Sequence, residues 1–357
     1  MAASGTAPGE GAWRGEPMSG ATTMRARAGA GTRGTGQEHR QQTTGEEEPQ
    51  PTQEMLPPLR WLLQPDANRF AHPAEVELAR LLTFYGVRWS YEPTTFALKW
   101  ASDGRPEEFV TPDFFLPDHD LYLELTTMRQ RLVTRKNRKF RLLRQHYPNV
   151  RVRILYLRDY ERIREIYGTN GTEQEGRLGS VLLDEREVEQ RVSGLACELR
   201  HVWEDRPRCE SPQRPLVLGL GPGSDHFIGA LAERLREQGV AVDLDRADLT
   251  SLAGAPEAER VRLSRAPMLP IAGRTVVIGQ EVISSGLSAA FMRGWLQRRG
   301  AAVIDFCALL DREAARIIDV PITCRGFVAP DVALAGYGLA RRREYRGLPY
   351  IAEIETG

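Results

Sequence analysis

The sequence predicts an α/β protein in which a small α/β domain precedes a doubly wound parallel sheet. Three observations support this fold class. Strand-like apolar runs alternate with amphipathic helical runs after Pro215, a polar glycine-bearing stretch interrupts the pattern before that point, and residues 1–55 contain almost no large aliphatic side chains. We therefore expect a disordered tail at 1–55, a first domain at 56–166, a linker at 167–179 and a second domain at 180–357.

Composition narrows the function classes. The 357 residues are enough for two domains, and 41% of them are hydrophobic. Lys and Arg number 48, as do Asp and Glu, so the net charge gives no reason to expect a nucleic-acid or membrane partner. The four cysteines form no CxxC pair, which predicts free thiols. Without a long apolar run or a secretory signal, the chain is expected to be cytoplasmic, with no membrane partner.

The first domain is predicted to contain a helix, several strands, a second helix and a final strand, in that order. "HPAEVELARLLTFYG" has a helical apolar stripe and ends at Gly86. "VRWSYEPTTFAL" predicts one or two strands, and "EEFVTPDFFLP" and "DLYLELTTM" continue the β pattern. "VTRKNRKFRLLRQHYP" predicts a basic helix, and "VRVRILYL" predicts a closing strand.

The second domain begins with a strand and helix in "VLLDEREVEQRVSGLACEL". Two strand–loop–helix–strand steps follow, with strands at "LVLGL", "VAVDLD", "TVVIG" and "AAVIDFCALL" and helices at "FIGALAERLREQG" and "LSAAFMRGWLQRRG". A long polar loop is expected between "VAVDLD" and Ala272. Such alternation indicates parallel strands, whose ligands bind outside their carboxyl ends.

Two loops at those carboxyl ends have the composition of phosphate-binding loops. "GLGPGS" has glycines that let backbone N–H groups approach a phosphate closely. "VVIGQEVISSGLSA" places serines and a glycine at a helix start, where unpaired N–H groups and the helix dipole favour an anion. A tight turn and simple N-capping are the alternatives for the two loops. Two such loops, with Glu281 at the mouth, favour phosphate binding.

The second domain resembles the hypoxanthine-guanine phosphoribosyltransferases over roughly residues 180–355. The resemblance rests on four segments in the family's order: "VLLDEREVEQRVSGLACEL", "GPGSDHFIGALAERL", "VVIGQEVISSGLSA" and "GFVAPDVALAGYGLARRREYRGLPYI". It implies a type I phosphoribosyltransferase fold, a 6-oxopurine and phosphoribosyl pyrophosphate as substrates, Mg²⁺ as cofactor, and a place in purine salvage. We also expect a homo-oligomer.

The resemblance assigns a role to each matched residue. Gln280 and Glu281 match the acidic pair that grips the ribose, and Glu281 is the metal ligand. Ser284 falls where the family has the aspartate that acts as general base towards the purine. The other matches are Ser285, Gly286, Leu287 and Ser288 for the 5′-phosphate, Pro222, Gly223, Ser224 and Arg346 for the pyrophosphate, and Arg312 and Leu334 for the purine.

Several positions depart from the family pattern, among them Arg312, which replaces a lysine, and Ala340, which replaces an aspartate. Ser284 is a poor base at neutral pH, Gln280 has no charge, and Ala333 replaces the aromatic residue that stacks on the purine. These departures imply weakened or altered transferase activity.

The first domain has a second candidate site. Asp113 and Glu124 are predicted on neighbouring strands, where two carboxylates can share a divalent cation. Glu75 on the preceding helix and the cations of the basic helix surround them; the alternative interpretation is a solvated surface with a capping aspartate. Together they resemble the PD-(D/E)xK nuclease superfamily over about residues 70–160. Thr126 replaces the motif lysine, a role that Lys136 or Lys139 could take from the helix.

Three functions follow as hypotheses. The chain is a purine phosphoribosyltransferase, a nucleotide-sensing or nucleic-acid-acting protein with a nuclease-like domain, or a non-catalytic scaffold. The nuclease-like hypothesis implies that nucleic acid binds through the first domain.

Overall fold

The computed structural model describes residues 70–126, 130–156, 159, 176–206, 213–221, 223–250, 260–330, 332–339 and 343–356. All of them lie in one compact unit. Within these ranges no helix is both long and apolar enough to cross a membrane. The predicted tail at 1–55 and most of the predicted linker lie outside the described residues.

The described part of the first domain contains two α-helices and six strands. Helix α1 begins after His72, whose Nδ1 accepts a hydrogen bond from the Ala74 N–H at 3.2 Å, and it ends before Gly86 at a φ of +72°. The elements are α1 (Pro73–Phe84), β1 (Ser90–Tyr91), β2 (Phe96–Trp100), β3 (Pro106–Val110), β4 (Phe114–Leu116), β5 (Leu121–Thr126), α2 (Gln130–His146) and β6 (Val152–Tyr156).

Four of these strands form a mixed sheet and two form a hairpin. The sheet order is β1-β4-β5-β6, with β4 antiparallel to β5 and β5 parallel to β6. The antiparallel pair β2-β3 packs on α2 through a small cluster that includes Phe96, Phe140 and Leu143. This sheet places the segment before β4 beside β5, where the carboxylate site lies.

The second domain follows the predicted alternation. Its elements are β7 (Gly176–Leu183), α3 (Glu185–Glu204), β8 (Leu216–Leu220), α4 (Asp225–Glu237), β9 (Asp243–Leu249), β10 (Leu263–Arg265), β11 (Thr275–Ile283), α5 (Leu287–Arg298), β12 (Val303–Asp311), β13 (Cys324–Val328), β14 (Leu334–Ala335), α6 (Arg343–Arg346) and β15 (Ile351–Thr356). Helix α3 starts with a reciprocal capping box between Asp184 and Glu187.

The central sheet has the order β10-β9-β8-β11-β12-β13. Strands β9, β8, β11, β12 and β13 are parallel, as expected, whereas the edge strand β10 runs antiparallel to β9. Helices α3 and α4 cover one face and α5 covers the other. The fold is therefore α/β with a mixed sheet, and the parallel prediction is wrong only at its edge.

Two further expectations were wrong in detail. The long loop after β9 contains β10, because Leu263 and Arg265 pair with the end of β9. Strand β7 starts at Gly176, inside the predicted linker, because it joins β14 and β15 in a separate antiparallel sheet. A strand of three residues and a strand that pairs far along the chain both give weak local signals.

Cys197, Cys307 and Cys324 are free thiols, as predicted, and Cys209 lies outside the described residues. Cys307 and Cys324 are register partners on β12 and β13 and are buried in the sheet. Their burial makes them part of the core.

One apolar cluster joins the two domains. Buried residues of α1, β4, β5 and β6 pack together with Val261, Leu287, Ile317 and Ile318 of the second domain. We call this set the interdomain cluster. It lies beside the amino end of α5, so the first domain abuts one of the predicted phosphate-binding loops.

Candidate functional site

The carboxyl end of β11 forms the floor of the candidate site. Strand β11 pairs with β8 only as far as Gly279, opposite Gly219, but continues beside β12 to Ile283. Gln280 therefore lies level with Leu220, the last residue of β8, and Glu281 lies beyond it, where the chain turns towards α4. This is the edge at which a parallel α/β sheet presents ligand-binding residues.

Three segments converge on Glu281. A Cβ on Gly223 would lie 2.5 Å from Glu281 Oε1 and 2.6 Å from the carbonyl oxygen of Gly338. Gly338, with a φ of +89°, likewise has no room for a Cβ because the Gly223 carbonyl lies against it. The loop before α4, the end of β11 and the turn after β14 thus meet at two glycines.

Glu281 is held in a desolvated position. Burial raises the pKa of Glu281 to about 7, although the Arg346 guanidinium opposes the rise. Glu281 Oε2 and the neighbouring Gln280 Oε1 are buried, and neither has a hydrogen-bond partner among the described residues. Buried acceptors without partners are costly, so both atoms are suited to a ligand that brings donors or positive charge.

The segment from Ser284 to Ser288 forms a backbone cradle at the start of α5. The carbonyl oxygen of Ser285 accepts hydrogen bonds from the Ile317 and Ile318 N–H groups at 2.9 and 3.0 Å. Gly286 caps the helix at a φ of +83°, and the Ile318 carbonyl leaves no space for a side chain there. The Leu287 N–H donates to the Ser285 Oγ at 3.3 Å, and the first turn of a helix is where backbone N–H groups can bind an anion.

The residues expected at the purine lie together at the next strand end. Arg312 follows β12, and its Nη2 donates to the Val332 carbonyl at 3.2 Å, two residues before Leu334.

The residues expected at the pyrophosphate lie near the turn at Gly338 and the loop before α4. Arg346 lies in the short helix α6, and its carbonyl accepts a hydrogen bond from the Gly338 N–H at 2.9 Å. Ser224 is buried before α4, and its Oγ donates to the Gly221 carbonyl at 2.7 Å. Pro222 lies outside the described residues.

Gly338 is a site residue that the sequence did not identify. "GYGL" lies within the last of the four segments that resemble the family, and nothing local shows that its second glycine would contact a loop more than a hundred positions earlier. A side-chain contact of the same turn accompanies it: Tyr337 lies against His226 on α4, with ring centroids 4.4 Å apart. The turn after β14 is therefore fixed to the start of α4.

The carboxylates of the first domain also converge. Asp113 Oδ2 accepts a hydrogen bond from the Leu125 N–H at 2.6 Å, which places it beside Glu124 on β5. Burial raises the pKa of both carboxyls, and the charge of Asp113 raises that of Glu124 further. Glu124 Oε2 and Thr126 Oγ1 are buried without a partner in the described part of the molecule. Glu75 contributes a nearby negative charge and accepts from the Tyr91 hydroxyl at 2.8 Å.

The two candidate lysines lie in different places. Lys136 forms an ion pair with Glu124 and donates to the Leu125 carbonyl at 3.3 Å. Lys139 instead donates to the Phe109 carbonyl at 2.7 Å, and Arg138 pairs with Glu108. The geometry thus brings Asp113, Glu124 and Lys136 together, and several cations of the basic helix are engaged within the domain.

Neither site contains a metal cluster in its own right. Across the described ranges, no group of three or more His, Cys, Asp or Glu side chains is arranged to hold a metal ion. Glu281 is a single carboxylate, and Asp113 with Glu124 is a pair. Both arrangements suit a hard cation that takes its remaining ligands from water or a phosphate.

Known proteins match about half of the chain. No family model matches it. The hypoxanthine-guanine phosphoribosyltransferase of Bacillus subtilis (strain 168) is 27% identical over 179 residues, which are 50% of this chain and 94% of that protein. The bifunctional protein TilS/HprT of Listeria monocytogenes is 27% identical over 179 residues, and the match spans only 26% of that protein. A hypoxanthine phosphoribosyltransferase structure from Staphylococcus aureus aligns with a TM-score of 0.44 at 24% identity, covering 50% of this chain and 93% of that one.

The residues matched by these proteins lie in the C-terminal region, which contains the two phosphate-loop segments and Glu281. About half of the chain, its C-terminal region, is therefore homologous to the hypoxanthine-guanine phosphoribosyltransferases.

Proposed function

We propose that the second domain is a purine phosphoribosyltransferase. The observation that supports it most strongly is the convergence of Glu281, Gly223 and Gly338 beside the helix-end cradle of α5. One compact edge of the sheet thus offers a carboxylate for a ribose, backbone N–H groups for a phosphate and a nearby guanidinium for a second phosphate. These are the groups that a sugar phosphate with a pyrophosphate leaving group requires.

Each residue has a role in the proposed transfer. The N–H groups from Ser285 to Ser288 hold the 5′-phosphate, and Gln280 and Glu281 accept the ribose hydroxyls. The loop at Gly223 and Arg346 bind the pyrophosphate. A purine nitrogen bonds to the ribose anomeric carbon, the bond from that carbon to pyrophosphate breaks, and the purine loses a proton.

The purine lies between the Leu334 backbone and Arg312 in this proposal. Arg312 donates to the purine oxygen with a planar guanidinium, which offers more donors than the ammonium of a lysine. Ser284 stands at the position for proton removal, but its hydroxyl is a weak base. We therefore expect the substrates to bind but kcat to be low.

Magnesium fits the site. Mg²⁺ is usually bound by one or two carboxylates together with substrate phosphates, and Glu281 Oε2 is a buried oxygen with no partner in the described residues. When bound, the ion neutralises charge on the pyrophosphate. Glu281 is the residue of this domain that would hold it.

The activity is tested by incubating the full chain with magnesium, phosphoribosyl pyrophosphate and hypoxanthine or guanine. Nucleoside monophosphate should form, and Glu281→Gln should lower kcat/KM by about two orders of magnitude. Glu237→Gln, at an exposed ion pair with Arg234, is the control and should leave kcat/KM unchanged. No product with either base would reject the transferase; heat on mixing with the pyrophosphate sugar alone would then favour a nucleotide sensor.

We also propose a metal-dependent nucleic-acid-cleaving site in the first domain. The supporting observation is that Lys136 reaches Glu124 from α2, replacing the lysine that Thr126 does not supply. Two buried carboxylates with raised pKa values beside a cation are suited to a divalent ion and a phosphodiester. Arg135 and Arg141, exposed on α2, offer positive charge for the nucleic-acid backbone.

Nicking of a plasmid in manganese or magnesium tests this second function. Asp113→Ala and Lys136→Ala should abolish nicking. Lys139→Ala, which removes a lysine one helical turn away, should retain it. Equal nicking by wild-type protein and Asp113→Ala would reject the site.

A further inference from the structure

The phosphate cradle of the second domain is supported by the first domain. Leu287, the first residue of α5, is buried in the interdomain cluster together with Ile317 and Ile318. At the other end of the cluster, the Val261 N–H donates to the Phe84 carbonyl at 2.8 Å. The surface around the cradle is therefore partly built from the first domain.

A continuous set of hydrogen bonds leads from the first domain to the cradle. Arg153 on β6 donates from Nη1 to the Ile317 carbonyl at 2.9 Å. The N–H of the same peptide group, that of Ile318, donates to the Ser285 carbonyl at 3.0 Å, and the Ile317 N–H donates to the same oxygen at 2.9 Å. Two hydrogen bonds, with one peptide group between them, thus connect the guanidinium to the cradle backbone.

Asp319 anchors the same arginine and one neighbour. Arg153 Nη2 lies 2.7 Å from Asp319 Oδ1, and Arg151 Nη2 lies 2.5 Å from Asp319 Oδ2. Arg151 makes its other hydrogen bond to the His119 carbonyl at 3.1 Å, whereas the Ile317 carbonyl is bound by Arg153. The two arginines share one ion-pair partner but differ in their contact with the segment that supports the cradle.

A second contact reaches the cradle through a side chain. Ser288 Oγ donates to the Tyr85 hydroxyl at 3.4 Å. Tyr85 is buried and follows directly after α1. The first domain therefore touches the cradle at both Ser285, through Ile317, and Ser288.

We infer that Arg153 is a positioning residue for the phosphate cradle, so that the first domain sets the geometry of the sugar-phosphate site. The inference rests on the proposed function for its ligand, phosphoribosyl pyrophosphate. The Ile317 carbonyl and the Ile318 N–H belong to one planar peptide group, so Arg153 bound to the carbonyl keeps the Ile318 N–H directed towards Ser285. Gly286, packed against the Ile318 carbonyl, transmits any shift of that segment to the start of α5.

The test compares Arg153→Ala with Arg151→Ala in the full chain. Both variants lose an ion pair with Asp319, so any loss of general stability is shared. Only Arg153→Ala should speed hydrogen exchange at the Ile317 and Ile318 amides, by about tenfold. It should also raise KM for phosphoribosyl pyrophosphate by about tenfold while changing kcat less.

Conservative variants keep the test decisive. Arg153→Lys retains a cation that can reach the Ile317 carbonyl, so its KM should lie between those of Arg153→Ala and wild type. Asp319→Asn removes both ion pairs but leaves the contact from Arg153 to Ile317, and should resemble wild type in exchange. Equal exchange and equal KM in Arg153→Ala and Arg151→Ala would overturn the inference. If wild-type protein shows no turnover, the proposed function fails, and the exchange comparison still decides the role of Arg153.

Discussion

Glu281 is the residue on which the chemistry of the second domain depends. It is a carboxylate at a strand end, desolvated enough for its pKa to rise to about 7, and it retains an oxygen without a partner in the described residues. The sequence identified the residue from its place after an apolar strand. Its burial could not be predicted, because the Gly223 and Gly338 contacts that enclose it come from distant segments.

The raised pKa of Glu281 predicts a pH-dependent stability change. The carboxyl ionises near 4.5 when unfolded and near 7 when folded, so the wild-type protein loses stability as pH rises between those values. Glu281→Gln cannot ionise and should be more stable than wild type at pH 8, by up to about 3 kcal/mol. The difference should vanish near pH 4. Denaturant unfolding at the two pH values measures it, and an equal difference at both would contradict the assignment.

Ser284 offers a gain-of-function prediction. Ser284→Asp places a carboxylate where proton removal is required and should raise kcat by about a hundredfold if the transferase lacks only its base. Ser284→Asn introduces a side chain of nearly the same shape as aspartate but without a basic carboxylate, and should give no gain in kcat. Steady-state kinetics with hypoxanthine compare the two. No gain with Ser284→Asp would indicate that the site serves another reaction.

At the scale of elements, regular alternation was predictable and long-range pairing was not. The strands and helices from β8 to β12, except β10, follow from apolar periodicity, since each element buries its own face. Strand β10 was missed because it is a three-residue edge segment, and the start of β7 because its partner, β15, lies far along the chain. For the same reason, "GYGL" gave no sign of its contact with Gly223.

The contact between Gly338 and Gly223 can be tested directly. Gly338→Ala puts a Cβ against the Gly223 carbonyl at a φ of +89° and should cost about 1–3 kcal/mol. It should also raise KM for phosphoribosyl pyrophosphate, because the loop before α4 must move. Gly347→Ala, with no atom within 4 Å of its added Cβ, is the matched control. Equal stability of the two variants in denaturant unfolding would contradict the proposed contact.

For the whole molecule, the main feature is a core that belongs to both domains. The sequence predicted two units with a polar connection between them, and each unit has apolar elements enough for its own core. Amphipathic patterns show which face of an element is buried but do not identify what covers it. The packing of Leu287, Ile317 and Ile318 with α1 and β5 therefore emerged only from the structure.

The interdomain cluster limits how this chain can be divided. A fragment beginning at Gly176 retains the whole central sheet but exposes Val261, Leu287, Ile317 and Ile318 together. We expect such a fragment to bind a hydrophobic dye and to associate in sedimentation, whereas the full chain should do neither. A monomeric, dye-free fragment would show that the cluster is dispensable. Recombination that replaced one domain by an unrelated sequence would then leave the other domain with an exposed apolar surface and make it insoluble. The two domains are therefore constrained to be inherited together, as one gene product.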